Sequence, residues 1–410
     1  MNFHIFIPYQ HLFQGKTDFR RKQTIFIKLF ITIVLLTGCD KKNNHSHGSS
    51  NLIEFNIKET YSKKKILLQD IADISYIPLE TTNDYLWENR TNLGSISKDF
   101  IICYSDKNIL IFDGSGKVQR KINRYGNSGE EYISISTLLT DESEQELFIY
   151  DMNKNQILVY DFQGTFKRSF TCSPDIYYQQ IGLFGTDMLI CYILEEIEEN
   201  IFTYFILISK QTGETIKKIT IPYKKWIDHS ITTRIKDGTR AISKAYIPLV
   251  PSDNNWLLTE LSADTVYLLT PDTLLTPVFT KNPSVQSMQI PVFVHAAKKT
   301  QRYFFFHTVK KEYDFEKGIG LPETSYLYDD YKKQFYLQDI YDTNYVAEKK
   351  IDIQPVLTQY NTDNNAMIKV LQADDLIELY HEEKLKGKLK NVAALLQEED
   401  NPVLMVIRFK

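Results

Sequence analysis

Residues 109–122 and 157–170 are two versions of one pattern, and this internal repeat constrains the fold more than any other feature of the chain. Ile109-Leu110-Ile111-Phe112-Asp113-Gly114-Ser115-Gly116 and Ile157-Leu158-Val159-Tyr160-Asp161-Phe162-Gln163-Gly164 lie 48 residues apart. Each is an apolar run, a turn with Asp first and Gly last, and a second run whose basic and apolar residues alternate between faces, which is how a β-hairpin reads. Another apolar run precedes each, at 100–104 and 147–150, so the unit is a meander of at least three strands. Four more divergent units follow, led by 188–194, 256–260, 302–307 and 367–371. That makes six leading strands.

Six short meanders in series expose many strand edges, and a closed ring removes them most economically. The expected fold is therefore all-β, a six-bladed β-propeller over 52–410, with two β-sandwiches as the alternative. The 26 Tyr and 24 Phe against 16 Gly and 13 Pro agree with a β-rich chain. Dividing residues 39–410 by six gives 62 per unit, above the ~40–50 of compact blades, so inserts are expected at 222–251, 310–322 and 373–399. The last is helical, since Leu376, Ile377, Leu379, Tyr380, Leu385 and Leu389 recur at helical spacing within 374–397. Closure needs the two termini to share a blade, so the isolated strand at 74–79 is predicted to pair with 403–408.

The N-terminus reads as a leader. Arg20, Arg21, Lys22 and Lys28 precede an apolar run over 29–36, too short for the roughly 20 residues of a membrane span. The run ends in Leu36-Thr37-Gly38-Cys39, which is similar to a bacterial lipobox. Residues 1–38 are expected to be a signal peptide, with an N-terminal extension over 1–19. Cys39 is expected to be the lipid-attachment residue; a plain signal peptide or a buried strand is the alternative. The polar stretch 39–51 is expected to be a flexible tether, and its His45 and His47 are too few for a zinc site. Without 1–38 the chain loses five positive charges and one negative, moving from −4 to −8. Near balance of 48 basic and 52 acidic residues leaves no basic footprint, which excludes nucleic acid as a partner.

The residues resemble a known family, the six-bladed β-propeller lipoproteins of Bacteroidetes, with NHL-like repeats. The resemblance rests on Tyr76-Ile77-Pro78-Leu79-Glu80-Thr81, on Phe112-Asp113-Gly114-Ser115-Gly116-Lys117 running into Arg124-Tyr125-Gly126-Asn127-Ser128-Gly129-Glu130-Glu131-Tyr132, and on Asn401-Pro402-Val403-Leu404-Met405. Asn127-Ser128 stands where that family usually has Gly and Pro. The resemblance implies the fold and a place in the cell envelope; it implies no activity. The lipid anchor is expected at the outer membrane, facing the periplasm, because Asp40-Lys41-Lys42 lacks the acidic run associated with surface export; the inner membrane is the alternative, since Asp40 is similar to a retention signal of enteric bacteria.

No catalytic motif, cofactor or metal site is read from the chain. Asp113-Gly114-Ser115-Gly116 lacks the later Glu of a calcium loop, and Gly126–Gly129 lacks the Lys-Ser/Thr of a phosphate loop. Cys103, Cys172 and Cys191 sit in apolar strand contexts and are expected to be buried free thiols. Of His229, His295, His307 and His381, only His307 falls on a leading strand, where it is expected to line the central channel as a polar group. Tyr223 and Trp226 in one insert, and Tyr313 and Phe315 in another, are candidate binding-loop aromatics, because flat rings stack on sugars and anchor protein contacts. The segments 195–200 and 310–322 are expected on one face of the ring. Two functions stay open: a non-catalytic binding or scaffold module for a glycan, peptide or envelope protein, and a lyase or hydrolase with a channel-bound metal. One channel His falls short of the several imidazoles the second requires.

Overall fold

Each repeat folds into an antiparallel sheet because its turns are fixed by local chemistry. In the computed structural model, which describes residues 52–88, 90–172, 176–197, 200–235, 238–354 and 366–410, Asp113 Oδ1 accepts from the backbone N–H of Ser115 at 2.9 Å and of Lys117 at 3.1 Å. Asp161 Oδ1 does the same for Gln163 and Thr165, both at 2.8 Å. Gly116 and Gly164 follow at φ +89 and +81, a region open to glycine at no steric cost. Residues 1–51, on which the expected leader and tether with Cys39, His45 and His47 fall, lie outside the described residues.

Blade 1 is Asn92–Ile96, Phe100–Tyr104, Asn108–Asp113 and Val118–Asn123; blade 2 is Thr137–Asp141, Glu146–Asp151, Gln156–Asp161 and Phe166–Thr171. Blade 3 is Tyr178–Phe184, Met188–Ile197, Asn200–Ser209 and Thr215–Ile219. Blade 4 is Leu249–Ser252, Asn255–Leu258, Thr265–Leu269 and Leu275–Asn282, and blade 5 is Val292–Lys299, Tyr303–Lys310, Glu323–Asp329 and Gln334–Asp342. Blade 6 combines Ala366–Leu371, Val403–Phe409 and, on its outer edge, Ala72–Pro78. The N-terminal strand thus closes the ring as predicted, antiparallel to the C-terminal one, with Ala72 opposite Phe409 and Pro78 opposite Val403.

The core is six apolar layers, one between each pair of neighbouring blades. Sheet faces alternate along every strand, so one face of a blade packs on the preceding blade and the other on the following one. Ile102, Ile111, Ile149 and Tyr160 join blades 1 and 2. The layer that completes the circle sets Ala366, Ile368, Leu404 and Val406 of blade 6 against Ile101, Cys103, Leu110 and Phe112 of blade 1. Cys103, Cys172 and Cys191 are buried and unpaired, as expected, and burial pushes their thiols up. The outer turn of a blade also seats on the previous blade's outer strand. A Cβ on Gly116, Gly164 or Gly213 would meet Pro78, Ile122 or Phe170 at 2.2, 2.8 and 2.4 Å.

Two features depart from the sequence reading. The strands read as leading ones are the second strands of their blades; a less apolar strand lies inside each of the first five. Two further strands, Ile53–Asn56 and Lys63–Leu67, add parallel to the outer edges of blades 4 and 5 before the chain reaches blade 6. This N-terminal strap is pinned by Phe55, fully buried among Tyr61, Phe279, Phe306, Tyr326 and Phe335. Lys64 adds an ion pair to the buried Asp329 at 2.8 Å, which Arg302 also meets at 3.0 Å. The insert near the C-terminus is helical, Ala373–His381 and Gly387–Ala393, with Leu376, Leu385 and Leu389 packed between blades 5 and 6.

Candidate functional site

Strand alternation gives the ring two unlike faces. In the first five blades, connections from first to second strand and from third to outer strand emerge on one face, and all are turns of two to five residues. Connections from second to third strand, and from one blade to the next, emerge on the other. That face carries 220–248, 311–322 and 372–402. The segment 310–322 lies on it, joining a second strand to a third; the ends of Met188–Ile197 and Asn200–Ser209 also reach it, with 198–199 outside the described residues.

The exposed apolar side chains follow the same asymmetry. Among the described residues thirteen large ones are exposed. Nine of these belong to the insert face: Leu86, Tyr125, Met152, Phe202, Ile290, Phe315, Ile319, Val346 and Leu395. Eight come from connections within or between blades and Phe202 from the insert-face end of the third strand of blade 3, whereas Leu274 and Tyr331 alone occupy short turns of the opposite face. Exposed apolar side chains mark an interaction surface where they adjoin; Phe315 and Ile319 share one small hairpin, and the other seven are distributed around the same face.

The insert 220–248 is the best-anchored of the three. Tyr223 Oη accepts from Thr203 N at 3.1 Å, the Ile227 N–H donates to Ser262 Oγ at 2.9 Å, and Lys311 Nζ of the neighbouring insert donates to the Asp228 carbonyl at 2.7 Å. Tyr246 meets three consecutive blades, packing on Tyr192 of blade 3 and His295 of blade 5 and donating its hydroxyl to the Thr259 carbonyl beside blade 4. Tyr246 thus ties three consecutive blades together. Desolvation pushes its phenol well above its ordinary value.

The histidines differ from expectation. His307 lies on the second strand of blade 5, one strand out from the channel, and faces His295 of the inner strand as a directly opposed pair. The rings are 4.7 Å apart, both residues are buried, and both Nδ1 atoms are without a hydrogen-bond partner. His307 Nε2 is 3.4 Å from Glu323 Oε1, and Lys244 Nζ is 3.3 Å from Glu323 Oε2. Desolvation lowers His307 to about 4, with the Asp352 carboxylate opposing and Lys244 assisting; desolvation followed by His307 itself holds His295 well below its ordinary value. His229 follows beyond Tyr246, with ring centroids 6.0 Å apart. The row His229–Tyr246–His295–His307 has no trace in sequence spacing, because only the cross-strand register and a long insert assemble it. It is an uncharged row at neutral pH, and no group of three or more His, Cys, Asp or Glu among the described residues is placed to hold a metal ion.

Of the candidate aromatics, Tyr313 and Phe315 pack on each other at 4.8 Å on a small hairpin, with Phe315 exposed. Tyr223 and Trp226 are half-buried in the neighbouring insert. All four lie on the insert face, as two separate pairs.

A family model described as a domain of unknown function, DUF4934, matches residues 52–408. The chain belongs to the DUF4934 family. The match runs from the strap through the last strand of blade 6, so in this DUF4934 protein the strap is part of the family domain. Among solved structures, the chain is similar to a putative exported protein from Bacteroides fragilis, 16% identical, with a TM-score of 0.59 over 88% of this chain and 99% of that one. It is also similar to a member of the duf4221 family from Bacteroides vulgatus, 9% identical, with a TM-score of 0.46 over 83% of this chain and 97% of that one. The first likeness supports the fold. The comparison with curated proteins gives no match.

Proposed function

We propose that this DUF4934 propeller is a non-catalytic envelope lipoprotein that binds a glycan, a peptide or an envelope protein through its insert face. The observation that carries the reading is the one-sided placement of exposed apolar side chains on the face that also bears the long inserts. Functional loops on repeat scaffolds gather on one side because equivalent connections emerge there. The uncharged, buried histidine row supports a structural role over a proton-transferring one, since a general acid or base works best near the ambient pH.

Anchoring through Cys39 at the outer membrane, facing the periplasm, is supported by the basic cluster, the apolar run and Leu36-Thr37-Gly38-Cys39. The exported description of the Bacteroides fragilis protein agrees with an envelope location. NHL-like ancestry of the blades is supported by the Asp–Gly outer turns.

Screening residues 40–410 against glycan and peptide panels tests the binding reading, with a Leu86→Ser/Phe315→Ser/Ile319→Ser variant as control. The expected result is a ligand held by the native face and lost from the variant with the thermal transition intact. Turnover of a panel member dependent on added zinc would overturn it in favour of a lyase or hydrolase.

A further inference from the structure

The insert 220–248 carries an arm that the ring does not use. Ile231–Ile235 and Gly238–Ile242 form an antiparallel hairpin, with Ile231 opposite Ile242 and Thr233 opposite Arg240. Among the described residues no other strand pairs with it. Thr232, Arg234, Arg240 and Ala241 are exposed, and Ile231, Thr233 and Ile242 are only half-buried. Ile231 and Ile242 give one face a short apolar end that is half-buried, but a two-stranded ribbon is marginal in water by itself, and its outer edges present unpaired backbone donors and acceptors. Here the base is held firmly by Tyr223, Ile227, Asp228 and Tyr246, as described above, so the ribbon is presented from a fixed root.

Its charge is opposite to that of the rest of the molecule. Residues 222–248 carry six basic side chains against two acidic ones, in a chain of net charge −4. Neither Arg234 nor Arg240 has an ion pair with a described residue. Alternation places the two arginines on opposite faces of the ribbon, one on each strand, so a strand laid along either edge meets one of them.

We propose that the paired strands Ile231–Ile235 and Gly238–Ile242 are a docking arm for an acidic, extended polypeptide segment, which adds to them as a third strand. The added strand satisfies the open backbone edge, and alternate acidic side chains meet the guanidinium groups. A peptide is favoured over an anionic glycan because an open strand edge offers a regular ladder that only a polypeptide backbone matches. The proposal rests on the binding-module reading and names the chemistry of its partner.

The test uses an alternating Val-Glu peptide of about ten residues as the probe, with its Val-Lys counterpart as control. Residues 40–410 are expected to bind the acidic probe at about 50 mM salt, more weakly at about 500 mM, and to leave the basic probe free. Hydrogen exchange in 231–235 or 238–242 should slow on binding. An Arg234→Glu/Arg240→Glu variant is expected to lose on the order of tenfold or more in affinity while keeping its thermal transition, since the arm lies outside the six apolar layers. Equal binding by that variant, or no amide protection in the hairpin, would overturn the proposal. So would polygalacturonate binding as tightly as the peptide with no amide protection, which would assign the arginines to an anionic glycan. Protection elsewhere on the insert face would sink the arm alone and leave the binding reading standing. Failure of every probe and of the panel screen would sink both.

Discussion

At the scale of single residues the chain divides into positions set by their neighbours in sequence and positions set by register. Asp113 and Asp161 with Gly116 and Gly164 belong to the first kind, because a carboxylate capping two backbone N–H groups and a glycine at positive φ act within five residues. They were legible. His307 belongs to the second: its strand is legible, but its rank within the blade and its packing on His295 depend on an inner strand of weaker pattern, Val292–Lys299, and on a register that no local signal carries. Burial of His307 has a consequence for acid stability. His307 titrates at about 4 when folded and at about 6.5 when unfolded, so between those values the unfolded chain binds more protons. Its contribution is complete above about pH 6.5 and is lost as pH falls towards 4. At about pH 4.5 the loss from this residue is on the order of 2 kcal/mol. Calorimetry at about pH 7.5 and 4.5 is expected to show a larger drop in Tm for the native protein than for His307→Gln; an equal drop would count against a buried neutral imidazole. Gly182 is a second residue-scale case. A Cβ there would meet the Trp256 ring at 2.4 Å, so Gly182→Ala is expected to cost about 1–3 kcal/mol, read as a lowered denaturant midpoint. An unchanged midpoint would show that the indole yields freely.

At the scale of elements the strap is the main addition. Ile53–Asn56 and Lys63–Leu67 escaped the sequence reading because the first is four residues long and the second opens with three lysines. The lysines are tolerated because an outer strand lets their stems lie along the sheet while the ammonium groups face rings or carboxylates. Lys64 Nζ is 4.8 Å from the Tyr336 ring centre and Lys65 Nζ is 5.2 Å from that of Tyr341. The C-terminal helices were legible because their apolar residues recur every three or four positions and pack in one layer. Phe55 fastens the strap to the layer between blades 4 and 5. Phe55→Ala is expected to cost about 3–5 kcal/mol and to raise hydrogen exchange across 52–67 first. Uniform destabilisation of all six blades, with no early opening of the strap, would contradict its role as a separate fastening.

At the scale of the molecule the ring is closed by one pairing, Ala72–Pro78 with Val403–Phe409, and by one layer, blade 6 on blade 1. This was readable because a repeat with an unmatched strand at one end implies its complement at the other. The inner strands were not, since their partners and not their own composition place them. Removing residues 402–410 takes away a central strand and strands the closing one, so cooperative loss of the whole transition is expected in thermal denaturation; a transition that survives would mean that the ring holds without it. The closed ring turns its inserts and most of its exposed apolar residues to one side, and the account of function stands on that asymmetry. It is tested most directly by photo-crosslinking in producing cells, with the reactive side chain placed at Leu86 or Phe315 on the insert face and at Leu274 or Tyr331 on the opposite one. Discrete adducts from the first pair and none from the second are predicted. Adducts from Leu274 and Tyr331 alone would contradict the account.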